Sequence, residues 1–456
     1  MLQGVPMDRR DLPVAIIGGG FSGTLLAINM VRHGGRVVLI ERDGDRLGRG
    51  LAYGTRDVEH LLNVRAANMS AFPDDAGHFL RWLGHDRPDS ANRFVPRMTY
   101  GLYLRELLLK ALAEAPDRLQ VIEQPAQDIL WHGGHAEVLL AKGPALAARA
   151  VVLALGHFGS AGLPQLANLA PPVLVSNPWL AQSTQDLQSL DHVLLVGTGL
   201  TAIDVALSLD KAGYGGRITA LSRRGLLPRA HAESGPIVEA VARPAARGSW
   251  LIHHLRQRST EVDWRQAIDE LRPHTQSLWR QHDEAAQARF LRHARPWWDV
   301  HRHRLAPEVA SRVAGMQAEG RLRFVAGRIA GAEPLEHGAR VHWRQRGSEA
   351  PDRLDAGRII LCAGPEGDLK RCAHPLLSNL LNQGMVRGDR HRLGLDVDHL
   401  CRVINAGGAR QDHLFAVGPL TKGEAWEIIA VPDIRRQVWS LARFLTHAHW
   451  VGGEGL

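Results

Sequence analysis

Two glycine-rich turns, each placed at the end of a short run of Val, Ile and Leu, constrain this chain more than any other feature. The first is Gly18-Gly19-Gly20-Phe21-Ser22-Gly23 and the second is Gly197-Thr198-Gly199-Leu200-Thr201-Ala202. Around the first, Val14 to Ile17 reads as a buried parallel strand, Ser22 to Arg32 as a helix and Val37 to Ile40 as the next strand, which is a βαβ unit. The second half repeats the plan, with strand Val193 to Val196, a helix running to Ala212 and strand Ile218 to Leu221. The segments Val151 to Gly156 and Arg358 to Gly364 echo one another and close the two units.

Turns of this kind are chemically specific. In a GxGxxG turn the first glycine makes the bend, the second lets a pyrophosphate approach the backbone, and the third lets helix pack on strand. The helix start carries roughly half a positive charge together with unpaired N–H groups, so a dianion is favoured there without any lysine. Gly18, Gly20 and Gly23 fill the three places, and Glu41 ends the next strand about 20 residues on, where a carboxylate accepts from a ribose diol. A carboxylate repels a 2′-phosphate, so the first turn suits FAD or NAD and not NADP. In the second turn Gly197, Gly199 and Ala202 hold the same places, the Ala202 methyl only widening the helix–strand spacing. Where an acid would stand, the chain has Ser222, Arg223 and Arg224. An arginine fork there holds a 2′-phosphate, which leans towards NADPH. If Arg223 and Arg224 are solvated strand-end charges, or meet only the pyrophosphate, NADH serves instead.

The expected fold is therefore α/β, with two Rossmann-like dinucleotide-binding domains, the second inserted in the first. The first domain is expected at 1–165 and 350–456, and the second at 170–345 with a helical insertion at about 225–320. Further strands are read at Val121 to Trp131, Ala136 to Leu140, Leu322 to Val325 and Arg340 to Trp343, and a helix at Tyr100 to Ala113. Within the insertion, Asp263-Trp264-Arg265-Gln266 fits a helix N-cap with a reciprocal partner at Gln266.

Composition narrows the remaining classes. A chain of 456 residues, 45% hydrophobic and 22% charged, is long enough for two or three domains with proper cores. Its net charge of +8 is spread along the chain and not gathered in a tail or stripe, which argues against nucleic-acid binding. Cys362, Cys372 and Cys401 contain no CxxC pair, so a dithiol relay is excluded and a reducing compartment is suggested. The segment from Met1 to Arg10 lacks the apolar stretch of a signal peptide and no later run is long enough to span a bilayer, so the cytoplasm is the expected location and no membrane partner is expected. His301 with His303, and His253 with His254, lack a third ligand at conventional spacing, so no metal is expected. Oligomeric state is left open.

These residues resemble the two-dinucleotide-binding-domain flavoproteins, in which a first βαβ unit holds FAD and an inserted second unit holds NAD(P)H. Several stretches are similar to one bacterial group in particular: Gly50-Leu-Ala-Tyr53 with Leu61-Leu-Asn-Val64, Phe94 to Gly101, Ser222 to Pro228, Trp297 to Arg304, and Leu414 to Gly423 with Trp426. That group contains FAD-dependent urate hydroxylases and amino-acid N-monooxygenases acting on aspartate. A Baeyer–Villiger or related flavin monooxygenase would show an FxGxxxHxxx(W/Y) fingerprint before the second turn, where this chain has Leu174 to Trp179. A disulfide reductase would need a CxxC.

The resemblance implies that Gly18, Gly20, Gly23 and Glu41 hold the ADP half of FAD. It implies that Gly418 to Thr421, with a helix beginning near Asp433 as N-cap, approaches the flavin ring. It implies hydride transfer from the nicotinamide to FAD, activation of O2 on the reduced flavin, and oxygen delivery to a nucleophilic carbon or nitrogen of a small polar substrate. Asn63 and Arg65 from the first unit, with Trp298, Arg302, His303 and Arg304 from the insertion, are the candidate substrate contacts, since a Trp face beside arginine forks suits a flat anion. An interface of buried Trp and solvated Arg is the alternative for that cluster. The leading expectation is hydroxylation of urate to 5-hydroxyisourate. Amino-acid N-hydroxylation stands as the alternative, then an oxygen-independent FAD/NAD(P)H oxidoreductase, then a flavin-holding protein without turnover.

Overall fold

The computed structural model describes residues 11–84, 88–160, 162–233, 242–245 and 248–448. The chain forms two compact units. One contains residues up to Arg56, Val64–Phe158 and Glu366 onward, and the other contains Asp57–Asn63 and Gly159–Pro365.

The first unit is built on a six-stranded sheet whose order across the sheet is 402–404, 410–416, 150–153, 14–17, 37–40 and 119–122. All neighbours are parallel except the edge pair 402–404 and 410–416. The strands Val14–Ile17, Val37–Ile40 and Ala150–Leu153 are buried at every position, as a parallel sheet covered on both faces requires. The helices Phe21–Arg32 and Val431–Thr446 pack on each other. A separate three-stranded antiparallel sheet, 126–132, 135–140 and 146–148, contributes Ile129, Ala136, Val138 and Ala148 to a core shared with Ala15, Ile17 and Leu153. The strand expected over Val121 to Trp131 is thus two strands, Leu119–Ile122 and Ala126–His132, in different sheets. The break includes Pro125, which has no N–H to continue a ladder.

The second unit carries a seven-stranded sheet, ordered 351–356, 338–345, 322–335, 217–222, 192–196, 358–361 and 174–175. Its centre is parallel and its 322–356 edge is an antiparallel meander. Both units follow one plan, but its execution differs after the strand beside the second βαβ strand. In the first unit the chain breaks and starts a new sheet. In the second, Leu322–Leu335 continues as one strand through an irregularity between Ile329 and Gly331, and its two hairpin partners stay in the main sheet.

Between Gly248 and Ala318 the second unit is helical, with helices Ser249–Glu261, Trp264–Leu271, Thr275–Gln281, Arg295–Arg302 and Pro307–Ala318. Asp263 caps the second of these by accepting from Arg265 N at 2.8 Å. The reciprocal half of the expected capping box is not made, because Gln266 turns along the helix and donates to Glu270 at 3.0 Å. The segment 57–63 is fastened to the second unit by side chains. Asp57 pairs with Lys211 at 2.7 Å and accepts from Ser208 at 2.9 Å, Glu59 pairs with Arg312, and His60 meets Ser208 at 2.8 Å. Among the described residues no helix is long and apolar enough to cross a membrane.

Candidate functional site

The two glycine turns are built by the same hydrogen bonds. In the first, Gly18 N donates to Ile40 O at 2.8 Å and Ala154 N donates to Ile17 O at 2.8 Å. In the second, Gly197 N donates to Leu221 O at 2.8 Å and Cys362 N donates to Val196 O at 2.9 Å. Gly18 has φ +108° and Gly197 φ +131°, and a Cβ on either would collide with a carbonyl oxygen, Ala154 O in one case and Cys362 O in the other. Both turns therefore need glycine at their first position for conformation and for space. At the third position of the first turn, a Cβ on Gly23 would strike Gly18 O and lie 3.1 Å from the Ala154 methyl. The second turn has Ala202 at this place, with its side chain buried.

The second position is where the turns speak to a ligand. A Cβ on Gly199 would meet nothing within 4 Å, so the protein's own packing does not demand glycine there. Open space directly over the backbone at the start of the helix Leu200–Lys211 is what a pyrophosphate needs. In the first turn the backbone of Gly50 lies over Gly20, with its Cα 3.3 Å from a Cβ built there, and Gly48 N donates to Gly19 O at 2.9 Å. Residues 48–50 thus form one wall of the first turn. Neither helix has a side-chain cap or an acid in its first turn, so the first N–H groups of each helix are left without a side-chain partner from the helix itself.

Glu41 is buried, with 8% exposure. One carboxylate oxygen accepts Gly19 N at 2.7 Å and the other accepts Asp43 N at 3.2 Å. It therefore ties the end of the second strand to the glycine turn, and its orientation is set before any ligand binds. In the second unit the corresponding strand ends in Ser222, whose hydroxyl meets Thr198 Oγ1 at 2.9 Å and accepts Gly225 N at 3.0 Å. Thr198 also donates to Leu226 O at 2.6 Å. These hydroxyls do for the second turn what the carboxylate does for the first, without a negative charge. The two arginines that follow differ. Arg223 is exposed, while Arg224 is partly covered and donates to Arg292 O at 2.9 Å.

Gly418, with φ +73°, opens a short 3-10 turn, Gly418–Thr421, which sits on the first helix, since a Cβ on Gly418 would strike Ser22 Oγ. Gln437 holds this turn by accepting Gly418 N at 2.7 Å and donating to Thr421 Oγ1 at 2.9 Å, and Thr421 donates to Gly418 O at 2.9 Å. Gln437 is a member of this arrangement that sequence alone did not single out, because its partner glycine is nineteen positions away and reached only across a helix turn. The last helix begins at Val431 with Ala430 as N-cap, not at Asp433. Pro432 lies inside its first turn, where the fixed φ of proline is already helical, which moves Asp433 to the third helical position.

The candidate substrate contacts fall in both units and have different surroundings. Arg65 is 6% exposed, donates to Asn92 O at 2.7 Å and lies 5.0 Å from the centre of the Phe94 ring. Asn63, expected in the first unit, belongs to the 57–63 segment of the second, where its carbonyl meets the His231 ring at 3.1 Å. Trp298, Arg302 and His303 lie on or just after the helix Arg295–Arg302, with Arg302 buried and the other two partly exposed. Arg304 is 2% exposed, and its guanidinium is engaged within the insertion. It makes two bonds of 2.9 Å to Asp269, one of 2.7 Å to His301 O and one of 3.1 Å to Arg265 O. Arg304 thereby joins the helix Trp264–Leu271 to the helix Arg295–Arg302. Within the insertion the Trp264 ring has the guanidinium carbons of Arg265 and Arg304 at 4.4 and 5.2 Å from its centre.

Residues 15–158 match a family described as FAD-NAD(P)-binding. Among solved structures, the chain is similar to ornithine hydroxylase from Pseudomonas aeruginosa, with 14% identity and a TM-score of 0.67, covering 96% of this chain and 99% of that one. It is similar to the FAD-bound cadaverine monooxygenase of desferrioxamine biosynthesis from Erwinia amylovora, with 13% identity and a TM-score of 0.68, covering 96% and 94%. A third likeness is the ornithine N-hydroxylase of Kutzneria sp. 744 with reduced FAD, NADP+ and L-ornithine, with 15% identity and a TM-score of 0.61, covering 96% and 99%. At such identities the likeness is one of fold. The chain carries an FAD-NAD(P)-binding domain within an α/β flavoprotein fold whose two units each present a Rossmann-like glycine turn.

Proposed function

We propose that this chain is an FAD-dependent, NADPH-consuming monooxygenase that hydroxylates the nitrogen of a small amine or amino acid. The pair of glycine turns carries the proposal, because they are alike in hydrogen bonding and opposite in charge. Glu41 at the first turn admits an adenosine diol and repels a 2′-phosphate, while the exposed Arg223 at the second attracts one. The first turn, its Gly48 to Gly50 wall and the Gly418–Thr421 turn on Ser22 are the residues that would hold FAD, and the open Gly199 backbone with Arg223 would hold NADPH. Bound flavin supplies hydride acceptance and oxygen activation. The chain's own part is to place the two cofactors and to position the substrate nitrogen away from bulk water.

N-hydroxylation fits better than urate hydroxylation, since the fold matches ornithine and cadaverine hydroxylating enzymes over 96% of this chain. An amino-acid substrate asks for a guanidinium to hold its carboxylate, and Arg65 and Arg302 are the proposed candidates. The test is direct. Purified yellow protein is given NADPH and O2 with ornithine, lysine, cadaverine, aspartate or urate, and both oxygen uptake and hydroxylamine formation are followed. Substrate-dependent hydroxylamine supports the proposal. Urate consumption without hydroxylamine would replace it, and reduced enzyme that ignores oxygen would move the chain to the oxidoreductases that do not use it.

A further inference from the structure

Far from the glycine turns in sequence, the hairpin of strands 126–132 and 135–140 places His132 directly opposite His135, across the Gly133-Gly134 turn. Side chains alternate along a strand, so Glu137 shares the face of His135. The opposite face, Ile129, Ala136 and Val138, is fully buried in the first unit's core. The outer face therefore carries two imidazoles and a carboxylate on a backbone already fixed by a hydrogen-bonded ladder.

We propose that His132, His135 and Glu137 form a three-ligand site for a divalent transition-metal ion. The two imidazole rings lie nearly parallel, 26° apart with centres 5.1 Å from each other, and His132 Nε2 is 3.2 Å from Glu137 Oε2. One donor atom from each residue lies within 4.8 Å of the other two. Tetrahedral bonds of about 2.0–2.1 Å put ligand atoms about 3.4 Å apart, so closure asks each donor to move by under about 1 Å. Side-chain rotation supplies that, because His132 and Glu137 are 45% and 37% exposed. Two neutral nitrogens with one carboxylate suit Zn(II), Ni(II) or Cu(II), and a hard ion such as Mg(II) or Ca(II) would prefer oxygen ligands. Three protein ligands leave a coordination position for water or for a donor from another molecule. Spacing rules miss the site because HxxHxE has no standing as a helical metal motif, and only the hairpin register brings the three together.

The experiment uses the full, tag-free, FAD-loaded chain, stripped with a chelator and titrated with Zn(II) against a chromogenic competitor. One zinc per chain is expected, and His132→Ala and His135→Ala should each weaken it by more than about tenfold, since loss of a direct ligand exceeds the usual effect of a supporting residue. Glu137→Gln should weaken it less, and the control pair His253→Ala with His254→Ala should leave it unchanged. These positions are on the surface, and matching thermal melts in the absence of zinc confirm that the variants are folded. Zinc binding that is insensitive to His132→Ala and His135→Ala, or no binding with up to a hundred micromolar zinc, overturns the proposal.

Discussion

Replacing Glu41 with glutamine isolates the term that ties the first glycine turn to its ligand. In the free protein the carboxylate accepts Gly19 N at 2.7 Å and Asp43 N at 3.2 Å. The amide keeps one acceptor oxygen for Gly19 and turns an NH2 towards the Asp43 N–H, so the turn survives with one bond lost. Toward FAD the change is larger. Bonds to a charged acceptor contribute about 1.5–3 kcal/mol and neutral ones about 0.5–1.5, so exchanging two diol bonds from carboxylate to amide costs about 2–3 kcal/mol. At 1.4 kcal/mol per decade that raises the FAD dissociation constant by about 30- to 150-fold. Apoprotein titrated with FAD, followed by flavin fluorescence, reads the constant. A second ligand, FAD lacking the adenosine 2′-hydroxyl, separates direct contact from a general loosening of the turn. In the wild type this analogue should bind more weakly than FAD, and in Glu41→Gln the difference should shrink to that of one neutral bond, about 0.5–1.5 kcal/mol. An FAD constant within threefold of wild type, or an equal analogue penalty in both proteins, refutes the role assigned to Glu41.

The two arginines after Ser222 should separate under substitution. Arg223→Ala should raise the NADPH KM on the order of tenfold while leaving the NADH KM nearly unchanged, the size expected for one charge-assisted phosphate bond. Arg224→Ala should do less to this ratio, because that side chain is tied to Arg292 O; equal effects on both nucleotides would argue against a 2′-phosphate clamp. Asp269→Ala strands the buried Arg304 guanidinium and should lower unfolding stability by about 3–5 kcal/mol in denaturant titrations, with Asp269→Asn less severe. Burial alone would raise the Asp210 carboxyl, but hydrogen bonds from Arg321 and Arg312 outweigh it and hold it below the ordinary aspartate value of 3.8. Its contribution to stability is therefore present above pH about 4 and is lost as pH falls through the lower folded value. The gap in melting temperature between wild type and Asp210→Asn should be full at pH 6 and close towards pH 3; a gap that widens in acid would contradict the sign.

Much of the frame is legible in the sequence. The strands Val14–Ile17 and Val37–Ile40 run over the residues read from sequence, and the first helix starts one residue earlier, at Phe21. A continuous apolar run between turn signals has few other uses, and a glycine turn between strand and helix stops both elements sharply. Less local features were harder. Asp263 was recognisable as a cap, but Gln266 had a competing partner in Glu270 that the capping pattern does not consider. Nothing in the sequence around Arg304 names its partner; Asp269, on the helix Trp264–Leu271, makes it part of an ion pair. Asn63 and Arg65 are two residues apart and belong to different units.

By itself the sequence determined the two βαβ units, the opposite charges that follow their glycine turns, and the absence of a CxxC, because each depends on residues close together along the chain. Tertiary structure decided what those residues are for. Gly18 and Gly197 are required by the carbonyls of Ala154 and Cys362, which arrive on other strands, while Gly199 is left with open space that packing does not explain. The ties of segment 57–63, the engagement of Arg304 and the meeting of His132 with Glu137 likewise depend on which strand or helix lies alongside. Short-range patterns set the local conformation, whereas the free energy of a buried charge or a converging ligand set comes from neighbours that the linear chain does not name.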